Sequence, residues 1–369
     1  MKKEILILLF VCPLVFFYVF SQNMKSNSNK REQSSHLTLE DSFEKLEGSD
    51  TSNWNYIQTK RDYRDLECFK TLYKKNYKHQ FNSNPSFKIP KIIHLIWIGP
   101  KPFPSGSVEN IRTWMAHHPD WTFNFWTDRK RLPPCNGMQV KQLKDFHFEF
   151  LQDKFKESKN WGEKADIWRY EILYQQGGLY IDHDAACVRP FHGLHTGYDF
   201  YAGLEMPHEE IDSLALTAGI GVIGAKPRHP ALQETIRLVL ERWDAVTEKF
   251  SASDPLVQAR RVTHRTLIAF THAFEKGLNQ PGNTDIIFPA CYFYPKGNLP
   301  GFYSEHLYGT TWNNLNETPN EQFFQKMLRH LRNRDAKIIH VELMSLFALI
   351  GCFSLYFLIN REIKRKKTQ

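Results

Sequence analysis

The segment "QQGGLYIDHDAAC", Gln175 to Cys187, sets two carboxylates at alternate positions at the end of a short apolar stretch. In an extended chain side chains alternate faces, so Asp182 and Asp184 share one face while His183 takes the other. Like charges held that close repel, and one carboxyl takes up a proton unless a cation sits between them. The pair therefore asks for a partner: a metal ion, an arginine or water. Just upstream, "WGEKADIWRYEILYQQGG" places Asp166 and Arg169 three residues apart, on one helix face. Alone, such a pair is a helix ion pair worth about 0.2–0.5 kcal/mol. Set before a Gly-Gly turn and an Asp-x-Asp strand end, it becomes a sugar clamp. Arg169 can fork onto a hydroxyl or phosphate, and Asp166 can accept from sugar hydroxyls.

These groups need elements to hold them. Ala165, Trp168, Ile172 and Leu173 form an apolar stripe over a helix at 162–176, and Gly177 is placed to stop it. "KIPKIIHLIWIG" is a continuous apolar run ended by Gly99-Pro100, the pattern of a strand buried inside a sheet. "SVENIRTWMAHHPDW" spaces Val108, Ile111, Trp114 and Met115 for a helix, with Ser107 as its N-cap. "TFNFWTD", "LYIDHD", "YDFYAGLE" and "GIGVIGAKP" follow as strands, and 230–246 and 257–276 as two long helices. Strands alternating with helices predict an α/β layer fold on a mostly parallel sheet. Its active site should lie at the carboxyl ends of strands, where "WIG" and "DHD" both fall. The polar, Asn/Ser-rich stretch 21–52 reads as a flexible stem, and 54–84 as a short helical hairpin.

"PKIIHLIWIG", "HPDWTFNFWTD", "ADIWRYEILYQQGGLYIDHD" and "GVIGAKPRHP", in that order, resemble the DXD-containing sugar transferases of glycosyltransferase family 32. That family includes the fungal initiating α-1,6-mannosyltransferase and the inositol-phosphoceramide mannosyltransferases. More distantly, the segments resemble the catalytic domains of the large clostridial glucosylating toxins. The resemblance covers roughly residues 85–315. It implies a GT-A-like nucleotide-sugar-binding fold and a retaining transfer from a donor such as GDP-mannose or a UDP-hexose, with Mn²⁺ or Mg²⁺ at Asp182-x-Asp184. Asp184 would ligate the metal directly, and Asp182 would touch the metal through water, or the donor ribose and sugar. Trp97 would stack on the base, Asp166 and Arg169 would hold the donor sugar, and Tyr180 would join the donor site. "SEHLYGTTW" is similar to the late loop that closes over the diphosphate, which makes His306 and Trp312 candidates. His183 is expected to pack behind the strand, off the metal. Where relatives often carry Asn after "LEMP", this chain has Ala218-Gly219, so sugar identity stays open.

Charge and hydropathy bound the partners. The formal charge is +8, but "REIKRKKTQ" and "MKKE" hold five of the eight excess charges, and no aromatic-interleaved basic stripe appears elsewhere. Nucleic acid is therefore not an expected partner. Ile5–Phe20 and Leu343–Ile359 are uncharged apolar runs with basic residues on their outer flanks. The expectation is a transmembrane helix at each end, both termini cytoplasmic and the body across a Golgi or ER membrane, or a bacterial one. The resulting division is an anchor at 1–21, stem and short helix at 22–84, a catalytic domain at 85–335, a second span at 341–360 and a basic tail at 361–369. Six scattered cysteines show no zinc spacing. The expected function is metal-dependent transfer of a hexose, mannose favoured, to a membrane lipid head group such as inositol phosphoceramide. The alternatives are transfer to protein side chains or glycans, a metal-dependent phosphohydrolase, and a sugar- or lipid-binding module without catalysis.

Overall fold

The computed structural model describes residues 37–81, 86–209, 211, 214–250, 257–297 and 299–309. In chain order the regular elements are α1 (Phe43–Leu46), α2 (Lys60–Asn76), β1 (Ile92–Ile96), α3 (Val108–His117), β2 (Thr122–Thr127) and β3 (Gln139–Gln142). Next come α4 (Gln152–Glu157), α5 (Trp161–Gln176), β4 (Gly178–Ile181), β5 (Ala185–Cys187), α6 (His192–Gly197), β6 (Phe200–Leu204) and β7 (Ala218–Ala225). The last are α7 (Pro230–Lys249), α8 (Val257–Arg265), α9 (Leu267–Gly277), β8 (Asp285–Phe288) and β9 (Ser304–His306). Seven strands form one sheet in the order β3-β2-β1-β4-β7-β6-β8. Only β7 runs against its neighbours. The carboxyl ends of β1, β4 and β6 therefore share an edge with the start of β7. This mixed α/β layer fits the GT-A-like expectation.

The central helix α5 explains how the edge is set. The Asn160 side chain caps its start by accepting from Glu163 N–H at 3.0 Å. Gly177, at φ 66°, ends it with its N–H on Leu173 O at 2.9 Å. The helix is buried on nearly every side, well beyond the expected stripe: Ile167, Trp168, Tyr170, Ile172 and Leu173 are all fully enclosed. It packs against α4, α7, β4 and β7, so its polar residues Asp166 and Arg169 are carried into the interior. Gly178 follows at φ 102°, where a Cβ would stand 2.7 Å from Ile92 O. Only glycine lets β4 close on β1 there.

Five expectations are corrected. No helix among the described residues is long and apolar enough to cross a membrane. The apolar runs at 5–20 and 343–359 lie outside the described residues. Transmembrane helices flanking the fold, and with them the membrane as partner and an integral placement in Golgi, ER or bacterial membrane, are not upheld. The longest helix, α7, carries Glu234, Arg237, Glu241 and Arg242, which a bilayer core would reject. The expected stem is folded from Leu37 onward: Phe43 and Leu46 are buried, and Glu47 accepts from Ala290 N–H at 2.6 Å. In place of a hairpin, the described residues of 54–84 hold one α-helix, α2, between short 3-10 turns. It is started by a Thr59–Asp62 capping box and tied down by Tyr73 and Tyr292 hydroxyls 2.8 Å apart. The helix expected over 257–276 breaks at Thr266 into α8 and α9. The Ser107 hydroxyl does not cap α3, because it lies 2.8 Å from His183 Nδ1 instead. Cys68, Cys135, Cys187 and Cys291 are free thiols.

Buried histidines make the fold acid-sensitive. His94 accepts from Trp126 Nε1–H at 3.0 Å and sets Nε2 2.9 Å from Gly177 O. Burial pushes His94 and His118 each down to about 4 and takes His195 well below its ordinary value. Their folded values lie below the unfolded value, so below about pH 6.5 the unfolded chain binds more protons and stability falls. The expected slope is about 1.4 kcal/mol per pH unit for each such histidine, down to about pH 4. Asp166 and Glu47, raised by burial, act in the opposite direction over the same range. The check therefore compares urea midpoints of the wild type and His94→Asn from about pH 7.5 to 4.5. The wild type's advantage should shrink as the pH falls, and a gap that stays constant would contradict the effect.

Candidate active site

β4 ends at Ile181, and Asp182-His183-Asp184 form a turn rather than continued strand, closed by Ala185 N–H on Asp182 O at 3.2 Å. The turn leads into β5, which pairs antiparallel with β9 so that Ala185 lies opposite His306. Leu307 N–H donates to Asp184 O at 2.8 Å and fastens this strap. The two carboxylates converge by the turn, not by strand alternation. His306 Nε2 stands 3.4 Å from both Asp182 Oδ2 and Asp184 Oδ1. Tyr308 N–H donates to His306 Nδ1 at 3.2 Å, which leaves Nε2 as the proton-bearing nitrogen facing the aspartates. Burial opposes a charge on His306, and the Asp184 and Asp182 carboxylates outweigh it, raising its pKa.

Among the described residues, Asp182, Asp184 and His306 form the cluster able to hold a metal ion, with ligand atoms within 4.8 Å of one another. The donor chemistry fits a divalent ion: two hard carboxylates suit Mg²⁺ or Mn²⁺, with the His306 imidazole beside them as a third donor. Space fits too. A Cβ at Gly221 would come within 2.8 Å of both Asp182 Oδ2 and His306 Nε2, so glycine keeps this cradle open.

Arg169 knits the cluster to α5. Its Nη2 lies 3.0 Å from Asp166 Oδ1 and 3.1 Å from Asp182 Oδ1, and donates to Tyr180 Oη at 2.9 Å. Nη1 donates to Ile220 O, and the guanidinium lies 3.9 Å from the Tyr180 ring centre. The Arg169 side chain is only 4% exposed. Burial alone would raise Asp182; Arg169, with His306 and the Tyr180 hydroxyl, holds it well below the usual carboxylate range. Asp166 goes the other way. Burial pushes it up to about 7 in spite of Arg169, with Asp182 adding to the rise. Thr266 Oγ1 donates to Asp166 Oδ2 at 2.9 Å, which is the use of the break between α8 and α9.

These groups line one cavity of about 240 Å³. Trp97 is in it, its ring edge-on to His183 at 5.1 Å and its Nε1–H on Lys101 O at 3.0 Å. The His183 ring sits against Trp97 and Phe103, apart from the metal-holding cluster. Asp166, Arg169, Tyr180, Asp182, Asp184 and His306 all reach the cavity, whereas Trp312 lies outside the described residues. Sequence reasoning missed Trp161, which opens α5 and faces Gly99 so closely that a Cβ there would sit 2.8 Å from its ring. It also missed Glu205, Tyr294 and Tyr308. Trp161 could have been found as an aromatic one turn before Ala165 on the same helix face, and Glu205 as the last residue of the expected strand "YDFYAGLE"; Tyr294 and Tyr308 carry no local signal.

A mostly parallel α/β sheet whose strand ends hold paired aspartates beside a buried Arg–Asp pair has the make-up of a nucleotide-sugar enzyme. Residues 104–201 match the family described as "Glycosyltransferase sugar-binding region containing DXD motif", and the chain is a glycosyltransferase. It is similar to inositol phosphoceramide mannosyltransferase 1 of Schizosaccharomyces pombe, at 23% identity over 288 residues, 76% of this chain and 75% of that one. Inositol phosphoceramide mannosyltransferase 3 of the same yeast is 34% identical over 114 residues, 31% of this chain and 29% of that one. Among solved structures, the catalytic domain of alpha-toxin from Clostridium novyi aligns over 86% of this chain and 94% of its own, at 10% identity and a TM-score of 0.39.

Proposed function

We propose that this glycosyltransferase moves a hexose, mannose in the leading case, from GDP-mannose or a UDP-hexose to the polar head group of a lipid such as an inositol phosphoceramide. The observation that carries the reading is the meeting of Asp182, Asp184 and His306 with the Asp166–Arg169 pair in one cavity. The names of the yeast relatives support the lipid acceptor and mannose. Asp184 and Asp182 would hold Mn²⁺ or Mg²⁺, with His306 the third group of the cluster. When bound there, the ion supplies positive charge against the diphosphate that leaves.

The protein's own groups do the rest. Arg169 fixes the Asp182 carboxylate in its ionised form and holds it in place, at no cost in reorganisation when charge develops. Asp166 accepts from a hydroxyl of the donor sugar, and Trp97 and Trp161 offer ring surface to the nucleoside. In the transfer, the bond from the anomeric carbon to the diphosphate oxygen breaks and its electron pair leaves with the diphosphate. The acceptor hydroxyl bonds to the same carbon on the same face, and its proton passes to the departing diphosphate oxygen. The test is to incubate the protein with membranes and labelled donor sugar, then extract with organic solvent. Most of the label should enter the lipid phase; label confined to the protein pellet would overturn the lipid acceptor.

A further inference from the structure

The cavity has a second half that the transfer chemistry leaves without a task. In the sheet β4 lies between β1 and β7, so the Asp182–Asp184 turn divides the carboxyl edge in two. On the β1 side the wall is aromatic and basic, with Trp97, Trp161, Lys101 and Lys159. On the β7–β6 side it holds a carboxylate and phenol rings: Glu205, Tyr294 and Tyr308. Glu205 directly follows β6 and is held by its N–H on Thr217 O at 2.8 Å. Its side chain is 15% exposed and lies 3.8 Å from Lys296 Nζ. The same ammonium stands 4.7 Å from the centre of the Tyr308 ring. Lys296 thus steadies both groups, although it does not itself line the cavity.

Tyr308 shows a further sign of use. Its φ is 52°, a left-handed conformation that a bulky residue adopts only when its surroundings impose it. The impositions are its N–H on His306 Nδ1 and its hydroxyl donating to Tyr294 O at 3.2 Å. They keep the ring beside His306, with centres 4.8 Å apart. Glu205, Tyr294 and Tyr308 line the same cavity as Asp182, Asp184 and His306.

We propose that Glu205 and Tyr308, positioned by Lys296, form the acceptor subsite, and that it takes an uncharged polyhydroxy ring, such as an inositol or a sugar, rather than a phosphate. A carboxylate accepts from ring hydroxyls in strong charge-assisted hydrogen bonds, and an aromatic face covers the ring's C–H surface. The same carboxylate repels an anion, so any phosphate on the acceptor points away from this half of the cavity. The inference rests on the transferase reading but not on the acceptor being a lipid.

The test is ligand-observed NMR on the purified full-length chain with UDP or GDP and Mg²⁺, using free myo-inositol, methyl α-mannoside and myo-inositol 1-phosphate as probes. The wild type should bind at least one of the two neutral rings. Glu205→Gln and Tyr308→Ala should each weaken that binding about tenfold or more, with Glu205→Asp in between, and the phosphate should add no affinity. Wild-type ring binding by Glu205→Gln, or no binding of either neutral ring by the wild type, overturns the subsite. If Glu205→Gln does not fold, as judged by its melting temperature, Tyr308→Ala carries the same test. Label that stays in the protein pellet defeats the lipid acceptor and leaves this result standing.

Discussion

Asp184→Asn is expected to cut transfer about a thousandfold, about 4 kcal/mol of transition-state stabilisation, while leaving the protein folded. The substitution keeps the side chain's shape and removes one charge from a pair that faces a single imidazole, His306 Nε2 at 3.4 Å. It should leave the melting temperature unchanged or slightly higher, because two like charges no longer crowd one another. Asp184 Oδ2 also accepts from Gly309 N–H, so Asn presented with its oxygen toward that donor preserves the contact. The loss would then belong to the charge itself. Initial rates with labelled donor across a Mn²⁺ titration provide the measurement. Near wild-type turnover by this variant would falsify a metal-holding role for Asp184.

Arg169→Lys carries the second large effect, on activity and stability together. The guanidinium serves Asp166, Asp182, Tyr180 and Ile220 at once from a buried position. An ammonium is a point charge that cannot span those partners, so at least one buried acceptor loses its donor. We expect stability to fall by about 3 kcal/mol and transfer per folded molecule to fall about a hundredfold. Denaturant melts report the first and active-site-normalised rates the second. Full activity in the folded fraction would show that Arg169 supports only the fold.

What could be read from the sequence was local. The apolar runs of β1 and β2 and the Gly-Gly punctuation before β4 mark their elements by composition alone. Asp166, Arg169, Tyr180, Asp182 and Asp184 lie within 19 consecutive positions, so one helix and one strand bring them together. His306 was suggested by resemblance to a late loop, but its place between the aspartates rests on β5 pairing with β9, more than 100 residues apart. No local propensity specifies such a register. The Asp-His-Asp segment reads as strand because its neighbours are apolar, yet hydrogen bonding to β7 ends at Gly221 O and the chain turns. Thr266, at φ −110° and ψ −67°, interrupts a helix whose periodicity is continuous, and its hydroxyl meets buried Asp166, 100 residues earlier in the chain. Glu205 closes "YDFYAGLE" at the carboxyl end of an expected strand, but nothing local says that β6 lies next to β7 on the side of the aspartate turn.

The central claim is that this chain is a sugar transferase whose aspartate pair works with a divalent ion. It is tested most directly by giving the purified protein a panel of labelled GDP- and UDP-sugars, with Mn²⁺, with Mg²⁺ and in excess EDTA, and following release of nucleoside diphosphate. One donor should be consumed in preference to the rest, only when a divalent ion is present, and Asp184→Asn should consume none of them at a comparable rate. Undiminished turnover in EDTA, or no turnover of any donor by a folded protein supplied with metal and acceptor membranes, would contradict it.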